Sequence, residues 1–140
     1  MSAAMDFALR SAVPGDIVFI HALQQRIERH DGIPIVTPRD EFEEWLEEPH
    51  FDLTKDARVL EIGEEIVAWG RIWHPPSGVR EERAYLTGGV DPRYRGKGIG
   101  SAVLRWQIER ATEALRSLGP ALPKFIRTYA FDFEHARLRL

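Results

Sequence analysis

One stretch constrains this chain more than any other: Val90-Asp91-Pro92-Arg93-Tyr94-Arg95-Gly96-Lys97-Gly98-Ile99-Gly100-Ser101. The residues before it, 83–90 (Arg-Ala-Tyr-Leu-Thr-Gly-Gly-Val), read as a strand. From Gly98 onward Ile99, Leu104, Ile108, Ala111, Leu115 and Leu118 fall on the inward side of a long helix. A turn from strand straight into helix leaves backbone N–H groups unpaired at the helix N-terminus, where the helix dipole also favours an anion. Gly96, Gly98 and Gly100 let that backbone come close to a ligand and take positive φ where needed. Arg93, Arg95 and Lys97 add three cations, and Ser101 places a hydroxyl in the first helical turn. The arrangement suits a diphosphate. It is neither a Walker loop, whose Gly-Lys-Ser/Thr ending is absent, nor the G-x-G-x-x-G of a dinucleotide fold. A glycine-rich turn with solvated charges is the plainer alternative.

Around this stretch the chain reads as one mixed α/β domain over residues 1–140. Phe7 to Arg10 is a first strand. Pro14-Gly15-Asp16 opens a helix carrying Ile17, Ile20, Leu23 and Ile27, which Asp31-Gly32 stops. Thr37 as N-cap, Pro38 at the first helical position and Asp40 closing a capping pair begin a second helix with Phe42, Trp45 and Leu46 as its stripe. Ala57 to Ile62 and Glu65 to Trp73 pair over a Gly63-Glu64 turn. A Pro75-Pro76-Ser77-Gly78 loop leads to strand 83–90. Gly119-Pro120 closes the long helix, Lys124 to Tyr129 is a last strand, and Glu134 to Leu140 starts a helix. The order is β-α-α-β-β-β-α-β-α, with no repeat or linker.

Charge is divided along the chain. Residues 1–70 hold 6 Lys+Arg against 15 Asp+Glu, while residues 71–140 hold 13 against 7. The basic half is the place to look for an anion. Cysteine is absent, which removes disulfides, thiol nucleophiles and Cys-based zinc sites. No apolar run approaches the ~18 residues of a membrane helix, and the start Met1-Ser2-Ala3-Ala4-Met5-Asp6 lacks the pattern of a signal peptide. A cytoplasmic protein with no membrane partner is the expectation.

Arg95-x-x-Gly98-x-Gly100, after a strand ending in Val90, resembles the acetyl-coenzyme A signature of the GNAT acetyltransferase superfamily. The order of elements resembles that fold as well. The resemblance implies that acetyl-coenzyme A is the acetyl donor, with no metal required. By likeness Gly88, Gly89 and Val90 would line the pantetheine arm. Arg95, Gly96, Lys97, Gly98, Ile99, Gly100 and Ser101 would hold the diphosphate. The acceptor would be the primary amine of a small molecule or peptide, attacking the thioester directly.

That attack needs a base for the amine proton and an acid for the leaving thiolate. The signature strand offers Ala84, Leu86 and Gly88 on one face, and Tyr85, Thr87 and Gly89 on the other. Glu81 and Glu82 at its start are the nearest carboxylates, so Glu82 is the candidate base, working through a water, with an exposed charge beside the loop as the alternative. The family's acid is often a Tyr on the last helix after Asn-x-x-Ala. Alignment on Ala136 puts Phe133 and Leu140 at those positions, so Tyr85 is the substitute, with a packing role as its alternative. The family's last two strands are not present, and the final helix has no stop signal. The Leu-Thr-Gly-Gly-Val-Asp-Pro ending and the acidic first half resemble tandem-GNAT proteins of the mycothiol synthase type. These features imply an N-terminal half or a truncated chain, completed by a second GNAT domain or a homodimer. A coenzyme A-binding half without chemistry is the alternative function.

Other candidates are weaker. His21, His30, His50, His74 and His135 have no metal spacing. Glu41, Glu43, Glu44, Glu47 and Glu48 on the second helix would attract a cationic amine or be a solvated face. His30 and Asp31 lie where an acceptor would be reached. Trp45, Trp69, Trp73 and Trp106 sit at apolar positions. The overall acidity argues against nucleic acid.

Overall fold

The computed structural model describes residues 7–34, 36–75 and 79–129. Its centre is a hairpin that follows from local chemistry. β2 (Ala57–Ile62) and β3 (Glu65–Trp73) join through Gly63-Glu64, and Glu65-Ile66-Val67-Ala68-Trp69-Gly70-Arg71-Ile72-Trp73 is buried along almost its whole length. Such a near-continuous run marks a strand covered on both faces. One register shift, opposite Leu60 and Glu61, sets Val67 and Ala68 on the same side.

β4 (Glu82–Val90) lies antiparallel to β3, and β5 (Lys124–Thr128) lies parallel to β4. β1 is only Arg10–Ser11, paired with Val59 and Arg58. The sequence places this strand at Phe7 to Arg10. Instead Leu9 N–H bonds to Phe7 O (3.0 Å), a three-residue turn that postpones pairing. Phe7 and Leu9 pack beside Val90 and Tyr94. The sheet order among the described residues is β1-β2-β3-β4-β5.

α1 (Ile17–Asp31) and α2 (Arg39–Leu46) cover one face, burying Ile20, Leu23, Ile27, Phe42 and Leu46 against Val59, Ile66 and Trp69. A single turn, α3 (Leu53–Asp56), precedes β2 and is an addition to the expected order. α4 (Ile99–Arg116) covers the other face through Ile99, Val103, Gln107, Ala111, Ala114 and Leu115. That corrects the expected stripe, because Ile108 and Leu118 are exposed at 44% and 40%. The inward residues follow a four-residue step along the helix, and the small Gly70 lets the helix lie close. A Cβ there would stand 2.5 Å from Val103 Cγ1.

The start of α2 also differs from expectation. Thr37 does not cap the helix; its Oγ1 and N–H donate to the buried Glu28 carboxylate (2.8 and 3.0 Å), and Thr37 O lies 3.0 Å from His21 Nε2. Pro38 takes the N-cap position, and its carbonyl accepts from Phe42 N–H. A buried carboxylate needs strong donors, and Thr37 supplies them from a loop that sequence alone does not bring to α1. The expected helix from Glu134 to Leu140 lies outside the described residues.

Candidate functional site

The far end of β4 is built by backbone. Gly88 faces Gly70 across the ladder, and a Cβ on Gly88 would press into the Trp69 carbonyl and stand 2.8 Å from Gly70 Cα. Glycine is required there by close approach. Asp91 N–H bonds to Val67 O at 2.8 Å, and the Asp91 carboxylate accepts from Arg93 N–H at 2.9 Å, shaping the short turn Pro92–Tyr94. Gly96 and Gly98 then take φ of 79° and 87°. The first helical bond of α4 runs from Ala102 N–H to Gly98 O (3.1 Å), so the preceding N–H groups have no intrahelical acceptor. The chain therefore presents a nest of donors at the positive end of an 18-residue helix.

The three cations of the stretch have separate roles. Arg93 turns away from the nest: its guanidinium donates to Asp91 (3.1 and 2.9 Å) and to Glu65. Arg26 approaches the same Asp91 at 3.4 Å. Arg93 hydrogen bonds, opposed by burial, hold the Asp91 carboxyl down to about 2. Asp91 and Arg93 are thus a brace for the turn, which corrects the expectation that Arg93 faces the anion. Arg95 stays with the loop. Its Nε reaches Val90 O (3.3 Å), and its two terminal nitrogens grip Asp31 at 2.6 and 2.9 Å. Asp31 ends α1, where the helix dipole disfavours a carboxylate. Burial pushes Asp31 up, but bonds from Arg95 and His30 outweigh it and hold the carboxyl below its usual range. Lys97 Nζ lies 5.6 Å from the Tyr94 ring centroid, and the Ser101 side of the first turn is exposed.

β5 accompanies β4 only from Glu82–Lys124 to Leu86–Thr128. Among the described residues, Thr87 to Val90 run on past its end. Here Gln107, buried on α4, donates from Nε2 to both Arg71 O and Thr87 O (2.9 Å each) and clamps the two strands. On the opposite face, towards α1 and α2, stand Arg71, Trp73, Tyr85 and Thr87. Trp73 stacks on Tyr85, and Tyr85 on Tyr129, with centroids 5.7 and 6.1 Å apart.

Two sequence candidates part company on this strand. Tyr85 is half-buried on the open face, three residues before Gly88. Glu82 is buried rather than exposed, on the α4 side with Ala84 and Leu86. It also lies six residues before Gly88, about 20 Å along the strand. Glu82 is therefore not brought to the loop. Glu81 pairs with Arg127 at 2.7 Å. The acidic residues of α2 lie mostly exposed along the rim, and His30 stays beside Asp31 (3.1 Å).

Sequence reasoning passed over Arg71 entirely. It is only 8% exposed, with its guanidinium over the Trp45 and Phe51 rings (5.3 and 5.6 Å to their centroids), and Nη1 donates to Trp45 O (2.8 Å). Burial pulls this guanidinium down to about 10, against the opposing field of Glu48. A charged residue inside an otherwise apolar strand is the one signal that marks it.

Among the described residues β4 runs past the end of β5 into a glycine-rich turn at the N-terminus of α4. The sequence profile of the acetyltransferase (GNAT) family matches residues 20–130, and the chain belongs to that family. Among solved structures, a GCN5-related N-acetyltransferase from Sphaerobacter thermophilus is similar at 24% identity and TM-score 0.73, covering 96% of this chain and 41% of its own. The chain thus spans less than half the length of that protein. A GNAT-family acetyltransferase from Streptococcus pneumoniae is similar at 17% identity and TM-score 0.69, with 95% and 80% covered. An acetyltransferase from Clostridium acetobutylicum, solved with acetyl-CoA, is similar at 20% identity and TM-score 0.69, with 95% and 86% covered. A search of curated proteins gave no match. The family is one of acetyl-CoA-dependent acetyltransferases. Positive-φ glycines and the N–H groups of a helix N-terminus are of a chemistry that fits the coenzyme's diphosphate, while the Arg95 guanidinium is held by Asp31. Among the described residues no cluster of three His, Asp or Glu could hold a metal, and no helix is long and apolar enough to cross a membrane.

Proposed function

We propose that this chain transfers the acetyl group of acetyl-coenzyme A to a primary amine of a small molecule or peptide by direct attack. The observation that carries the reading is the end of β4. A backbone nest at the α4 N-terminus follows strand residues Thr87 to Val90, which among the described residues lie past the end of β5. Gly96 to Ser101 bind the diphosphate, Arg95 exchanging its Asp31 partner for the phosphate oxygens, and Gly88 to Val90 line the pantetheine. The coenzyme supplies an activated thioester. The chain orients it and polarises its carbonyl with fixed N–H donors, which avoids reorganisation as negative charge develops. Tyr85, on the face towards α1 and α2 and three residues from Gly88, is our candidate to give a proton to the departing thiolate. Water reaching the open face takes the amine proton, since Glu82 is turned away.

The test is a calorimetric titration with acetyl-CoA followed by a thiol-release assay against an amine panel. Binding with turnover is the expected result; binding without turnover would reduce the chain to a coenzyme-binding unit, and no binding would end both readings. Arg95→Ala should weaken coenzyme binding about tenfold, as loss of a charge-assisted contact does. Arg93→Ala should change it less than about threefold, because Arg93 pairs elsewhere in an exposed network.

A further inference from the structure

The buried arginine of β3 is unaccounted for by the coenzyme. Arg71 is the direct cross-strand partner of Thr87, the residue that precedes Gly88. Directly opposed residues of an antiparallel pair hold their side chains about 5 Å apart on one face. That face is turned towards α1 and α2, not the side that α4 covers, and on the acetyltransferase reading it is the acceptor side. Arg71 therefore starts within one residue of the point where β4 passes the end of β5.

Its surroundings leave a definite deficit. Nη1 is used by Trp45 O, at the end of α2. Nε is buried with no partner, and among the described residues no carboxylate forms an ion pair with the guanidinium. Two residues on and on the same face, Trp73 Nε1 is also buried without a partner. Buried charges are normally paired, and buried donors normally satisfied. The helix end accounts for one nitrogen only. The vacant demand is for an acceptor-only, singly negative group beside a guanidinium whose carbon lies over the Trp45 and Phe51 rings. A carboxylate fits a guanidinium edge with two parallel bonds. The field of Glu48, which reaches Arg71, disfavours a dianion such as phosphate while favouring a cationic amine on the same molecule.

We infer that Arg71 is the specificity-determining residue of the acceptor site, and that the acceptor is an amine that also carries a carboxylate, as an amino acid does. The inference rests on the acetyltransferase reading above and names its substrate class. Arg71 takes the carboxylate and leaves the amine beside Thr87 and Gly88, where the acetyl group is offered.

The test compares matched pairs: lysine with cadaverine, phenylalanine with phenethylamine, each at saturating acetyl-CoA. The carboxylated member should have kcat/KM at least about tenfold higher, through KM rather than kcat. In Arg71→Met, whose long apolar stem still fills the space between Trp45 and Phe51, the ratio should fall to about one. Arg71→Lys, which keeps the charge but not the paired edge, should recover only part of the ratio. Equal rates on both members of each pair in the native protein would overturn the inference. So would an Arg71→Met ratio equal to that of the native protein, or a Met variant that loses only thermal stability. Calorimetry of lysine and cadaverine with coenzyme A present gives an independent reading. Lysine bound in preference to cadaverine with no acetyl transfer would refute the transferase reading and keep the Arg71 assignment. Transfer blind to the carboxylate would do the reverse, and failure of both to bind would defeat the assignment.

Discussion

The two halves of the site lie on one strand and are made of different material. At the C-terminal end of β4 the proposed coenzyme nest consists of backbone: glycines, N–H groups without an intrahelical acceptor and a helix dipole. Two or three residues earlier, the proposed acceptor face consists of side chains drawn from separated segments, with Arg71 from β3, Trp45 from α2, Phe51 from the segment before α3, and Tyr85 from β4. A backbone nest can be read from adjacent residues, because the chain supplies all its parts within about a dozen positions. A side-chain face depends on which distant residues the sheet register sets opposite one another.

That contrast can be broken at its hinge. Gly88→Ala puts a methyl into the Trp69 carbonyl and against Gly70 Cα, and neither backbone can withdraw. A loss of about 3 kcal/mol or more in urea unfolding is expected, with coenzyme binding lost in the same variant. An alanine variant of native stability would mean that β3 and β4 are not held at this separation.

Gln107 tests whether the halves are mechanically joined. Its amide serves Arg71 O and Thr87 O at once, so Gln107→Met leaves two strand carbonyls without their donor while keeping the volume. A loss of about 2 kcal/mol is expected, together with weaker binding of both coenzyme and acceptor. Weakening of coenzyme binding alone would show that the acceptor face stands independently.

The smallest effect concerns acid. Asp91, held near 2 by Arg93, carries a depressed folded value against an ordinary value near 4. Its contribution to stability is present above about pH 4 and is lost as pH falls towards 2, up to about 2 kcal/mol. Asp91→Asn should flatten the pH dependence of urea unfolding between pH 4 and 2.5. An unchanged acid slope would mean that the brace of the turn does not depend on charge.

Much of the fold was legible because it is local. The Gly63-Glu64 hairpin, the stop at Gly32 and the strand-to-helix passage at Gly98 depend on residues that are neighbours in sequence. The errors arise where a partner is remote. Thr37 looks like a cap because the sequence does not place Glu28 within 2.8 Å of its hydroxyl. Arg93 looks like an anion ligand because Asp91 and Glu65 are not visibly its partners. Ile108 looks inward because helical spacing alone does not say which of two adjacent stripes meets the sheet; Gly70 and Gln107 decide that. Glu82 looks exposed beside a Pro/Gly loop, yet strand alternation turns it under α4.

The sequence by itself determined the turn from β4 into α4, since glycine conformations, helix polarity and clustered N–H groups are properties of contiguous chain. Only the tertiary structure decided what each charge does. It set Arg95 against Asp31, turned Arg93 into a brace, and buried Arg71 beside Thr87 with no ion-pair partner among the described residues. A charge acts over a few ångströms, and only the register of the sheet determines which residues come within that range.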